Sequence, residues 1–201
     1  MNIHWDADKY TADFSFVHQY GSGVMELIDA GAHSTVLDLG CGNGALSKAL
    51  HDKGYLVKGI DASKELLDIA RKTYPELEFI QADATGFSLP EPVDVVFSNA
   101  VFHWIDRARQ PDLLNCVYHA LKENGQFVFE FGGYGNNRLI HDALSKVFSE
   151  HGYSYQMPFY FPTIGEYAAL VEHAGFQVRY AVLFDLSLIH ISEPTRHAQI
   201  S

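Results

Sequence analysis

Two periods of apolar residues alternate along the chain. Short apolar runs at residues 34–39, 55–60, 77–80, 93–97 and 126–131 predict buried strands. Between them the spacing lengthens to that of a helical face: Leu46, Ala49 and Leu50, then Leu66, Ile69 and Ala70, then Leu114, Val117, Tyr118 and Leu121. Turn chemistry punctuates these runs. Gly54 closes the first helix, Pro90 and Pro92 precede the fourth strand, and Asn124-Gly125 turns the chain into the fifth. Val17, Tyr20, Val24 and Ile28 predict a helix ahead of the first strand. Near the other end, Thr163 and Glu166 form a capping box for a helix ending at Gly175, and Phe176, Val178, Tyr180, Val182 and Phe184 alternate as a strand. This βαβ rhythm implies an α/β fold, a Rossmann-like, doubly wound, mostly parallel sheet covered by helices on both faces.

The run from Val36 to Gly44, VLDLGCGNG, joins a buried strand to a glycine-rich turn that opens a helix. Glycines at 40, 42 and 44 let the backbone reverse at positive φ and admit a ligand close to the main chain, and the helix N-terminus leaves N–H donors beyond it. Gly40, Gly42 and Ala45 also satisfy the dinucleotide-binding spacing, so an NAD-dependent oxidoreductase is a second reading. Asp38 separates the two. A carboxylate two residues before the first glycine opposes a pyrophosphate but suits an ammonium group; capping of local N–H groups is its alternative role. Asp61, about 20 residues beyond the glycines, is spaced to accept ribose hydroxyls in either case.

With these residues in place, the chain resembles the class I S-adenosylmethionine (SAM) dependent methyltransferases. Four segments match in order: VLDLGCGNG, then GID at 59–61, QADA at 81–84, and SNAVFHWI at 98–105. The resemblance implies SAM as cofactor, held by Asp38, Gly40, Cys41, Gly42, Asn43, Gly44, Asp61, Ala62, Asp83, Ala84, Asn99 and Ala100. It assigns Asp83 to the adenine amino group, and the backbone after the fourth strand to the methionine part. The nearest subgroup is similar to the trans-aconitate 2-methyltransferases, through WDADKY near the start and PFYFPTIGEYAAL near the end. That likeness implies a small-molecule acceptor, most plausibly methylated at a carboxylate oxygen.

The acceptor side carries fewer signals. His103 suits a general base or, between Phe102 and Trp104, a packed wall residue. A carboxylate acceptor, already ionised, needs no base, and positioning with desolvation then carries the rate. Trp104, Arg107 and Arg138, with Tyr20 from the N-terminal lid, are the expected acceptor contacts; Arg109 is a further candidate. These arginines can clamp an acid or simply lie on the surface.

Composition narrows the partners. The chain has 201 residues, is 47% hydrophobic and carries a formal charge of −11. It can bury one domain's core, and so acidic a chain is poorly suited to gripping a phosphate backbone, so no nucleic-acid partner is expected. No apolar run approaches a membrane span and no signal pattern opens the chain, so a cytoplasmic protein, off the membrane and favouring a monomer, is expected. Two cysteines and eleven histidines without HExxH or CxxC spacing predict neither disulfides nor a metal site. The expected organisation is one domain over 1–185: a helical lid at 1–33, a cofactor-binding core at 34–132, and acceptor-side helices with a terminal strand at 133–185. Residues 186–201, beginning LSLIHISEPTR from Leu186, resemble a translated sequencing adapter. On that reading they fall outside the fold, which is then truncated before its last antiparallel strand.

Overall fold

Five strands rich in Val, Ile, Leu and Phe form a parallel sheet: β1 (Thr35–Leu39), β2 (Leu56–Asp61), β3 (Glu78–Gln81), β4 (Val93–Asn99) and β5 (Leu121–Gly132). The computed structural model describes residues 23–186 and 195–200. Two further strands, β6 (Ala181–Leu186) and β7 (Thr195–Ile200), extend the sheet, with β7 antiparallel to both β5 and β6. The order is β3-β2-β1-β4-β5-β7-β6. Chain direction across the sheet therefore switches between β1 and β4, the point outside whose strand ends a ligand lies in such folds.

Helices cover both faces. The first face packs β1, β2, β4 and β5 against α1 (Ala45–Asp52), through Val36, Val57, Val95, Phe97 and Val128 against Leu46 and Leu50. Val24 and Met25 close this core from the N-terminal side; Val17 and Tyr20 of the expected lid helix lie outside the described residues. Helix α2 (Lys64–Thr73) sets Leu67 and Ala70 on Phe79 and Cys41. Its start is fixed by Ser63, whose hydroxyl accepts the Leu66 N–H, and Arg71 and Lys72 in the last turn oppose the helix dipole. The other face is larger. Phe127, Phe129 and Phe131, alternating along β5, meet Phe102, Leu113, Leu114 and Val117 from the stretch that follows β4, and Tyr167 and Val171 of the C-terminal helix. The helices concerned are α3 (Gln110–Ala120) and, after α4 (Arg138–Glu150), α5 (Ile164–His173).

Three expectations change. Asn124-Gly125 makes a bulge inside β5 rather than a turn before it: pairing with β4 jumps from Val93↔Leu121 to Val95↔Gln126, with Asn124 at φ 62°. The terminal strand begins at Ala181, not Phe176, because β7 supplies its ladder only from Ala181↔Ile200 onward. Most consequentially, residues 195–200 occupy the antiparallel position between β5 and β6 that was expected to be missing. Main-chain groups make that ladder, so an extended segment can fill the slot with little regard to its side chains.

Candidate functional site

The C-terminal ends of β1, β2 and β4 converge at the switch point, and each delivers a polar residue there. Asp38 lies on the α1 face of β1 and is 1% exposed. Its Oδ2 accepts a 2.6 Å hydrogen bond from Ser47 Oγ. Burial pushes its carboxyl up to about 7, the Ser47 bond opposes this, and the charge of Asp61 adds to it. A cation at this point would remove the desolvation cost, and no ion pair to Asp38 occurs among the described residues.

The glycine turn spends its N–H groups internally. Gly40 and Cys41 donate to the Ile60 carbonyl at 2.7 and 3.0 Å, Gly42 donates to Asp61 Oδ2 at 2.8 Å, and Gly44 donates to the Cys41 carbonyl at 2.9 Å. The three glycines differ in what surrounds them. A Cβ at Gly40 would lie 2.2 Å from Val101 Cγ2 and one at Gly44 2.7 Å from Phe79, whereas Gly42, at φ +54°, has only Leu66 Cδ1 at 3.9 Å. Gly42 is where the turn opens to a ligand. Cys41 is buried, and burial raises its thiol well above the usual range, so it stays neutral. Asn43 turns its side chain back to the Ala45 N–H.

Asp61 ends β2 with Oδ2 on the Gly42 N–H and Oδ1 on the Ser63 N–H, both at 2.8 Å. Burial raises its carboxyl and those backbone bonds hold it back down. A carboxylate has about four lone-pair sites, so these bonds leave capacity for a ligand hydroxyl. Ala62 follows directly, its carbonyl accepting from Gln81 Nε2 at 3.2 Å. Asp83 is exposed; its Oδ1 takes the Thr85 N–H and hydroxyl, which lowers its pKa, and Oδ2 lies 3.6 Å from Arg109. Ala84 is half-buried beside it. At the end of β4, Asn99 is 9% exposed and its Oδ1 has no hydrogen-bond partner. Ala100 is held at φ 60° while its N–H donates to the Glu130 carbonyl at 2.8 Å. Left-handed backbone at a residue with a Cβ is strain of the kind stored at ligand sites. An orphaned acceptor, an open glycine face, one buried carboxylate and one half-buried carboxylate together fit a cationic, nucleoside-bearing ligand.

Beyond Ala100 the chain turns through Phe102–Trp104. His103 Nδ1 accepts the Gly132 N–H at 3.2 Å, which puts the neutral ring's hydrogen on Nε2, and its ring packs near Trp104, Phe159 and Phe161. Trp104 is 4.7 Å from Phe159, edge to face. Arg107 is held on the surface by Glu166 at 2.7 Å, and Arg109 by Asp83 and Asp112. Arg138 opens α4, exposed. Tyr20 lies outside the described residues. Arg107 and Arg109 thus each already have carboxylate partners.

Two residues that sequence reasoning passed over hold this region together. Gln110 is fully buried; its Nε2 donates to the Phe102 and Ile105 carbonyls at 3.0 and 2.9 Å, and its Oε1 accepts from Tyr167 at 2.9 Å, tying the post-β4 turn to α5. The other is His141, buried on α4. Neither stands in a local motif. Among the described residues no group of three or more His, Cys, Asp and Glu is placed to hold a metal, and no helix is long and apolar enough to cross a membrane.

Residues 36–125 match the methyltransferase domain family. Over 202 aligned residues the chain is 31% identical to an uncharacterized methyltransferase of Schizosaccharomyces pombe, covering 96% of this chain and 75% of that one. The chain belongs to the methyltransferase family. This methyltransferase is also 31% identical over 150 residues to the trans-aconitate 2-methyltransferase of an Enterobacter species, covering 72% of this chain but 57% of that enzyme. Its fold is that of a SAM-dependent methyltransferase from Methanosarcina mazei, with a TM-score of 0.69, 19% identity, and coverage of 92% and 95%.

Proposed function

We propose that this methyltransferase transfers the methyl group of SAM to a carboxylate oxygen of a small acid, in the cytoplasm. The observation that carries the donor is the pair of carboxylates, Asp38 buried and Asp61 half-buried, beside a glycine turn in which the Gly40, Cys41, Gly42 and Gly44 N–H groups already have acceptors. That environment favours a positively charged ligand and disfavours the pyrophosphate of a dinucleotide. In the proposed site Asp38 and the Asn99 amide oxygen receive the ligand's ammonium, the Gly40–Gly44 turn and Ala100 border its methionine part, Asp61 and Ala62 border the ribose, and Asp83 with Ala84 the adenine.

When bound, SAM supplies an electrophilic methyl carbon: an acceptor oxygen bonds to it as the carbon–sulfur pair returns to sulfur, and no proton moves. The protein's share is then positioning and exclusion of water. His103, its Nδ1 engaged by Gly132, serves as wall and not as base. With Trp104, Phe159 and Phe161 it forms an aromatic surround that strips hydration from the attacking oxygen. The carboxylate reading is supported by this freedom from a base and by the likeness to trans-aconitate 2-methyltransferases.

Calorimetry with S-adenosylhomocysteine and NADH, followed by incubation with methyl-labelled SAM and trans-aconitate, tests the proposal. Saturable binding of the first ligand alone, with label recovered as base-labile ester, is expected. NADH binding alone overturns the donor, and label in base-stable product overturns the acceptor.

A further inference from the structure

Helix α4 inverts the usual division of a surface helix. Leu139, Ile140, Leu144, Val147 and Phe148 are exposed, while the one residue the helix buries is a histidine. His141 is 8% exposed, its Nδ1 lies 2.6 Å from the Tyr155 hydroxyl oxygen, and its Nε2 has no hydrogen-bond partner. A position serving packing alone would shed that unpaired polar atom by carrying an apolar residue. A phenol is the natural donor to an imidazole nitrogen, so Tyr155 O–H to Nδ1 leaves the hydrogen on Nε2 as a donor without an acceptor. Burial lowers the imidazole's pKa, which keeps it neutral.

The surroundings say what that donor faces. The His141 ring centroid is 5.9 Å from Phe159 and 6.0 Å from Phe161, and the same two rings lie 6.1 and 5.9 Å from His103. His103 stands just after Asn99 and Ala100, at the end of β4. One aromatic wall therefore runs from the methyl-transfer side of the site to His141. Tyr155, Phe159 and Phe161 belong to residues 153–161, which form neither helix nor strand, so no helix or sheet ladder ties this part of the wall.

We propose that His141, oriented by Tyr155, is the polar anchor of the acceptor pocket, its Nε2–H holding one oxygen of the acceptor's carboxylate while the other oxygen is left for the methyl group. This rests on the carboxylate reading above. It supplies a single neutral donor in an apolar wall, which positions an acid without clamping a polyanion.

The full chain, saturated with S-adenosylhomocysteine and labelled with 15N-histidine, is titrated with trans-aconitate, acetate and benzoate while the His141 Nε2 resonance and the dissociation constants are read. Carboxylate binding should move that resonance. His141→Phe should weaken carboxylate binding by about tenfold or more, and His141→Gln, whose amide reaches a similar point, by about twofold, with S-adenosylhomocysteine affinity unchanged in both. Tyr155→Phe should fall between them. Equal carboxylate affinity in the variants, or an unmoved Nε2 resonance on binding, overturns the anchor and leaves the carboxylate reading standing. Failure of every carboxylate to bind the wild-type chain overturns both. Should His141→Phe not fold, the resonance and the other two variants decide.

Discussion

The proposed donor end and the proposed acceptor end of this site are built on opposite plans. At the donor end a nine-residue run supplies most of the geometry, with Gly40 and Gly44 pinned by Val101 and Phe79 and Asp38 buried and hydrogen-bonded, and Asp61 joins it from the next strand. At the acceptor end, residues from four separate stretches, around 103, 141, 155 and 160, meet through aromatic rings and one unpaired nitrogen. A ligand with fixed chemistry can be held by a turn whose shape is local. A variable acceptor is met by side chains that are exchanged without disturbing the sheet, and those come from the connections.

The sharpest test of this contrast compares two glycines in one turn. Gly40→Ala would drive a Cβ to 2.2 Å from Val101 at φ +80°, so a loss of about 3 kcal/mol in thermal denaturation is expected, together with loss of S-adenosylhomocysteine binding. Gly42→Ala meets open space and should lose only the roughly 1–2 kcal/mol of left-handed backbone at a residue with a Cβ, yet still weaken binding in calorimetry. Equal destabilisation by both would mean the open face at Gly42 belongs to packing.

Next in size is Asp61→Ala, expected to weaken S-adenosylhomocysteine binding by about tenfold to a hundredfold through loss of charged hydrogen bonds. Unchanged affinity would remove Asp61 from the ligand. A smaller effect comes from pH. Asp38 has its carboxyl raised from 3.8 to about 7 in the folded protein. Its contribution to stability is therefore fully present below about pH 4 and is lost as pH rises through about 7. A bound ammonium prefers the ionised form, so S-adenosylhomocysteine should bind about tenfold more weakly at pH 6 than at pH 8, and Asp38→Asn should flatten that dependence. A wild-type affinity unaffected over this range would show that Asp38 does not meet the ligand's charge. The smallest change is expected for Arg107→Ala, because Glu166 already holds this exposed guanidinium. The acceptor KM in a methyl-transfer assay should change by less than about twofold; a tenfold rise would restore Arg107 to the pocket.

The donor end was readable because its signals are contiguous. Asp38, Gly40 and Asp61 are fixed by strand period and turn chemistry, and the structure brings them to one place as the spacing implies. His141 was not readable, since helix α4 carries its apolar residues outward and no period singles out the histidine. Nothing in the sequence around Arg107 announced its partner Glu166, 59 positions later.

By itself the sequence determined the alternation of strands and helices, the glycine turn, and the acidic residues at the strand ends, because each depends on neighbours within a few positions. Tertiary structure alone decided that residues 195–200 complete the sheet between β5 and β6, that Gln110 ties the post-β4 turn to α5, and that His141 turns inward toward Tyr155. Those choices rest on ladder hydrogen bonds and burial between segments tens of residues apart, where no local period records which partner will arrive.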